Sequence, residues 1–173
     1  MKKIIKVLSS ILAVITICFC ILWFNHDIGI NKNHIEQDAR GSSKIEDDWI
    51  VAIDTSEIMS AMVFYPEDKS DHSYKVYVNR PGTSFGYFFR GGGDVIEVEY
   101  YIAECSVENY DDRAFISLNA QQVERMEIDN GNEVKIIEID SSKPFAYVLA
   151  KNSGTVTFFD INENIVEVMQ KNL

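Results

Sequence analysis

Beyond residue 48 the chain holds one cysteine, Cys105, and one histidine, His72. A thiol nucleophile needs a base beside it, most often histidine. Cys105 sits in Ile102-Ala103-Glu104-Cys105-Ser106-Val107, at the end of an apolar alternation, so a core thiol is expected. His72 falls in a polar turn. Glu97 and Glu99, two apart on one expected strand face, have a spacing that suits acid–base work. Nothing apolar adjoins them in sequence, and they are read as surface. Glu108 with Asp111 and Asp112 offers clustered oxygens of the kind calcium prefers, and is read as a solvated acidic loop. Asp160-Ile161-Asn162-Glu163-Asn164 opens like a calcium loop, but the sixth and twelfth positions are Ile165 and Lys171 instead of glycine and an acid. A hairpin turn accounts for the same residues. Arg90-Gly91-Gly92-Gly93-Asp94 lacks the Lys-Ser/Thr of a phosphate loop, so it reads as a flexible loop between strands. No Ser-His-Asp order, HExxH or CxxC pattern appears in this part of the chain. No catalytic, cofactor-binding or metal-binding residue is therefore expected.

The remaining chemistry is contact chemistry. Tyr87-Phe88-Phe89-Arg90 is the densest aromatic run. Alternation sends Tyr87 and Phe89 to one face and Phe88 to the other. An exposed face of this run would form a platform for a sugar ring or a protein. Burial on both sides is the competing outcome. Arg80-Pro81-Gly82-Thr83 reads as a turn that brings Arg80 near the platform. Arg80, Tyr87, Phe89 and Arg90 are the candidate partner-contact residues.

These residues must be carried by strands. Period-two alternation dominates after Trp49, as in Tyr74-Lys75-Val76-Tyr77-Val78-Asn79 and in Ile96 to Ile102. Trp49–Ile53 and Phe145–Ala150 are more continuously apolar, as central strands are. Val123–Ile128 and Glu133–Ile139 flank Asp129-Asn130-Gly131-Asn132, where Asn-Gly suits a type I′ turn. Further turns are expected at Lys151–Gly154 and Asn162–Asn164. About nine strands result, at the spacing of an all-β sandwich or barrel. The best helix candidate is Ser56–Met62, with Thr55 or Ser56 as cap.

The segments Val123–Ile128, Asp129-Asn130-Gly131, Phe145–Val148 and Val156–Asp160 resemble the C-terminal triple-strand unit of small membrane-anchored, immunoglobulin-like modules of Gram-positive bacteria. The usual turn glycine after the final Phe-Asp strand is Glu163 or Asn164 here. The resemblance implies a mainly β fold, an antiparallel β-sandwich of immunoglobulin-like type behind one N-terminal transmembrane helix, with no assigned activity.

Placement comes from the other end. Lys2, Lys3 and Lys6 precede an almost unbroken apolar run from Val7 to Phe24, about the length that crosses a bilayer core. Positive flanks stay cytoplasmic, so the remainder is expected outside. No small-residue pair suited to signal cleavage follows the run, and Trp23 suits the outer interface. Cys18 follows Ile17 and Cys20 follows Phe19, neither being the small residue a lipoprotein signal requires. The expected division is a signal anchor over residues 1–24, a polar stalk over 25–48, and an extracytoplasmic domain over 49–173. That domain carries 10 Lys and Arg against 21 Asp and Glu, a balance of −11. Such a charge disfavours nucleic acid and docking on anionic lipid. The expected function is a non-catalytic binding module at the cell membrane, anchored in the lipid through Val7–Phe24. Its partner would be a protein or the cell wall. The alternatives are an immunity or regulatory protein for a membrane partner, or an envelope enzyme using Cys105 or carboxylates.

Overall fold

The computed structural model describes residues 2–24, 28–80 and 86–173. Residues 25–27 of the expected stalk, Pro81 to Thr83 of the expected turn, and the side chains of Lys2, Lys3 and Trp23 lie outside the described residues.

Strand makes up 44% and helix 22% of the chain, so the fold is mainly β. The first helix, α1 (Lys2–Phe24), contains an apolar span, Ile4–Leu22, of mean hydropathy 2.6 that packs against nothing. It is long and apolar enough to cross a membrane, as an anchor or signal sequence is.

The expected open stalk does not hold for residues 28–48. Ile30 exchanges two backbone hydrogen bonds with Tyr87, both 2.8 Å. A 3-10 turn (Lys32–His34) then leads into α2 (Ile35–Ser43). Glu36 and Asp38 suit the positive N-terminal end of this helix, and Ile35 and Ala39 fall one turn apart on one face. Both are fully buried, against Met62, Phe64, Tyr77 and Tyr87. The Tyr77 hydroxyl donates to Asp38 at 2.8 Å, and the Arg40 guanidinium stacks over Phe64 at 4.9 Å. Only two fully buried apolar side chains hold α2 down, too few for a periodicity to stand out in the sequence.

Twelve strands form three four-stranded sheets among the described residues. Sheet 1 is the antiparallel meander β1 (Ile50–Thr55), β2 (Met59–Tyr65), β3 (Ser73–Asn79) and β4 (Tyr87–Gly93). A short helix, α3 (Ile96–Tyr100), leads away from it. Sheet 2 comprises β5 (Ile102–Ser106), β6 (Asp112–Ser117), β9 (Phe145–Ala150) and β12 (Val168–Asn172), in the order β12-β5-β6-β9. Sheet 3 comprises β7 (Val123–Asp129), β8 (Val134–Glu138), β10 (Thr155–Asp160) and β11 (Ile165–Val166), in the order β11-β10-β7-β8. Sheet 2 lies in the middle. Ala103, Cys105, Ala114 and Ile116 pack against Met59, Ala61, Val63, Val76 and Val78 of sheet 1. Ile102, Phe115 and Phe145 pack against Met126, Ile128 and Phe158 of sheet 3. Among the described residues neighbouring strands pair antiparallel except β12, which returns parallel to β5.

Several sequence expectations change. Ile96–Tyr100 is a helical turn, not the start of a strand. Val98 is buried, while Ile96 and Tyr100, four apart, face outward at 65% and 53% exposure. The segment crosses from sheet 1 to sheet 2, and the Val98 carbonyl accepts from Leu118 N–H. Ser56–Met62 is not a helix. Ser56 does use its capping chemistry, accepting from the N–H groups of Ile58 and Met59, but to close the β1–β2 hairpin. β1 and β9 are edge strands, not central ones. The apolar continuity of β9 reflects cover on both faces, with Ala146 toward sheet 1 and Phe145 toward sheet 3. The β7–β8 hairpin forms as expected. Its turn has positive φ at Gly131 but not at Asn130, which excludes type I′. The glycine run 91–93 belongs to β4 instead of a loop.

Candidate functional site

The four candidate contact residues separate into a buried and an open group. Tyr87 begins β4 on the face covered by α2 and is 4% exposed. Its hydroxyl donates to the Ser56 carbonyl at 2.6 Å. Burial first, then the nearby acids Glu57 and Asp112, push its pKa up. Tyr87 is thus a structural residue, and its place in the contact set is corrected. Phe89, two residues on, shares that face beyond the reach of α2. It is 51% exposed and meets Tyr77 edge-on at 5.5 Å. Phe88, on the opposite face, carries the Arg80 guanidinium 4.0 Å above its ring. Arg90 follows at a register break between β3 and β4 and is half-buried. Of these residues Phe89 alone is exposed, while Arg80, Phe88 and Arg90 are half-buried and Phe88 lies on the face opposite Phe89, so two cations and two rings gather around the start of β4 without sharing one face.

The N-terminal segment lies directly against this surface. A Cβ on Gly29 would come within 2.7 Å of the Tyr87 carbonyl oxygen and 2.8 Å of the Phe88 ring. Gly86, at φ +91°, would bring one within 2.6 Å of the Ile30 carbonyl oxygen. Two facing glycines let the chain from α1 close on the β3–β4 hairpin.

The Tyr87–Ser56 bond continues into sheet 2. The Ser56 hydroxyl donates to Asp112, a buried carboxylate at the start of β6, at 2.5 Å. Beyond Asp112 opens a cleft of about 890 Å³, lined by Glu104, Glu108, Tyr110, Asp111, Arg113, Lys151 and Asn172, among others. Arg113 is held by Glu104 at 2.9 Å and by the Gly154 carbonyl at 2.7 Å. The acids Glu108, Asp111 and Asp112 do meet here, but Asp112 is turned inward and hydrogen-bonded. Among the described residues no three His, Cys, Asp or Glu side chains converge as a metal set. Sequence reasoning missed Arg113, Lys151 and Asn172 because they come from the ends of β6, β9 and β12, and only the fold joins them.

The other sequence candidates lie apart. Cys105 is fully buried in the small-residue layer between sheets 1 and 2. Burial pushes its pKa up to about 12, with Glu97 and Glu104 adding and Lys171 opposing. His72 is buried and hydrogen-bonds the Val95 backbone through Nε2. Glu97 and Glu99 share a helical turn, where residues two apart diverge. Glu97 lies 3.8 Å from Lys171. Asp160 closes a turn, accepting from the N–H groups of Asn162 and Asn164, and the Asn164 side chain is the first cause of its lowered pKa. Glu163 takes the left-handed position, at φ 62°, and both of its oxygens accept from Arg125.

No family model, curated protein or solved structure matches this chain.

Proposed function

We propose that this protein is a single-pass, membrane-anchored binding module without catalytic activity, with its amino terminus in the cytoplasm and its β domain outside. Lys2, Lys3 and Lys6 before the Val7–Phe24 run support this orientation. Arg80, Phe88, Phe89 and Arg90 form its contact surface. The observation that carries the reading is this cluster of rings and cations around exposed Phe89, set against the segment that follows the apolar helix. The buried Cys105, with its raised pKa, favours the binding reading over a thiol enzyme. The immunoglobulin-like relationship stays part of the proposal: of its three strand segments, β7 and β10 pair antiparallel, while β9 lies in sheet 2.

An alkaline phosphatase fusion after Ser43 is expected to be active, and a cytoplasmic reporter at the same point silent. The reverse would overturn the orientation. Arg90→Glu in the full chain is expected to weaken its envelope contacts. Unchanged association would count against the surface.

A further inference from the structure

We infer that the contact surface rests on the lipid–water interface of the bilayer that holds α1, so that the domain stands with its β3–β4 hairpin end down. This rests on the anchored reading above and names the partner of that surface. Ile28 follows Phe24 by four residue steps, which span at most about 14 Å. Gly29 and Ile30 are then fixed, Ile30 by its paired hydrogen bonds to Tyr87 and Gly29 by its packing against the Phe88 ring. With α2 docked on sheet 1, those few residues are all the chain that separates the domain from the end of α1. Headgroup regions extend several ångströms beyond the hydrocarbon core, roughly 5–8 Å on each side. The hairpin end is therefore the part of the domain nearest the headgroups.

Its chemistry fits that layer. Aromatic rings collect at the interface, and arginine stems lie along apolar surface while the head group stays hydrated. Arg80 over Phe88 already has this form, and Phe89 adds an exposed ring at the same end of the strand. Of the acids at this end, Glu57 is exposed and paired with Lys32 at 3.3 Å, Asp112 is buried under Ser56, and Glu108 and Asp111 are exposed in the cleft beside it. The interface in question is zwitterionic lipid, which the domain's charge of −11 does not repel. The opposite end is marked by α3. Ser117, at the other end of β6 from Asp112, donates to the Tyr101 carbonyl, so Tyr100 belongs to the end facing away.

The test uses the full chain with Cys18→Ser and Cys20→Ser, reconstituted in phosphatidylcholine vesicles that carry a nitroxide on some headgroups. A fluorophore is placed through Phe89→Cys or, as the distal reference, Tyr100→Cys. The label at 89 is expected to be quenched at least twofold more than the label at 100. Adding Arg80→Glu and Arg90→Glu is expected to bring the ratio toward one. Equal quenching of the two labels in vesicles that do carry the protein overturns this inference alone, and would leave the surface open for a protein partner. A ratio unmoved by the arginine changes overturns the role assigned to the cations. Failure of the chain to float with the vesicles overturns the anchored reading, and this inference with it.

Discussion

The two interlayer cores share one sheet but are built from opposite materials. Alternate residues of β6 show the division. Ala114 and Ile116 face sheet 1, and Phe115 faces sheet 3. On the sheet 1 side the middle sheet presents Ala103, Cys105, Ala114 and Ala146. On the sheet 3 side, Phe115 and Phe145 both meet Phe158, with ring centroids 5.3 and 5.9 Å apart. Small side chains allow sheets to approach, and rings hold them at a fuller spacing near 10 Å. At the small-residue side the two sheets are also stitched by polar groups. Asp54 accepts from the Val148 N–H at 2.8 Å, and Ser56 donates to Asp112. The aromatic core sets rings against rings, whereas the other core sets the small residues of sheet 2, beside Ile116, against the larger Met59, Tyr74 and Val76 of sheet 1.

That contrast can be broken by changing volume in opposite directions. Phe158→Ala removes the ring at the centre of the aromatic layer and is expected to cost about 3–5 kcal/mol, the usual range for a buried Phe-to-Ala change. Ala114→Leu adds volume to the tight layer beside Cys105 and Val148, its register partners. Overpacking of this kind is expected to cost about 1–3 kcal/mol. Urea unfolding of the detergent-solubilised full chain measures both. If Ala114→Leu proves neutral, the small-residue layer has slack and the contrast fails.

The same contrast marks what the sequence could disclose. Strands with one open face were legible, because alternation records burial directly. β7 is the example, whereas β8 was found through the turn before it, since its apolar Val134 and Ile136 are exposed. The alternation in Ile96–Glu99 misled, since a helical turn that buries one residue, Val98, needs no periodicity of its own. Edge position was hidden in β1 and β9. In β9 apolar continuity reports cover on two faces, because the middle sheet of the stack is covered even at its edge, whereas β1 keeps Ile50 and Ile53 exposed despite its apolar run. The packing of α2 was hidden for the reverse reason, with two fully buried apolar residues among polar neighbours. At the contact surface the alternation of Tyr87, Phe88 and Phe89 was correct. Which face was covered depended on α2, so Tyr87 was misassigned. The cleft joins residues from the ends of separate strands, and no local spacing signals it.

Cys105 gives the smallest effect and the finest test of the tight layer. Cys105→Ala removes one buried sulfur and is expected to lower stability by about 1 kcal/mol at neutral pH, leaving function intact. The cost should depend on pH in a definite direction. Burial raises the folded thiol pKa from 9.0 to about 12. Below about pH 9 the thiol is neutral in both states, and its packing contribution is fully present. Between about 9 and 12 the unfolded chain ionises while the folded chain does not, so the contribution is lost as pH rises. Tyr74, whose pKa burial raises from 10.0 to about 12, loses stability over an overlapping window. The informative quantity is therefore the difference between parent and Cys105→Ala, measured at pH 7 and again near pH 10.5. The gap should narrow or change sign at the higher pH. Iodoacetamide supplies the kinetic counterpart in the Cys18→Ser, Cys20→Ser background. Labelling of Cys105 should be slow at neutral pH and accelerate only in denaturant. Rapid labelling of the folded chain, or a gap that does not move with pH, would mean that the layer between sheets 1 and 2 opens to solvent and that the thiol is available for chemistry.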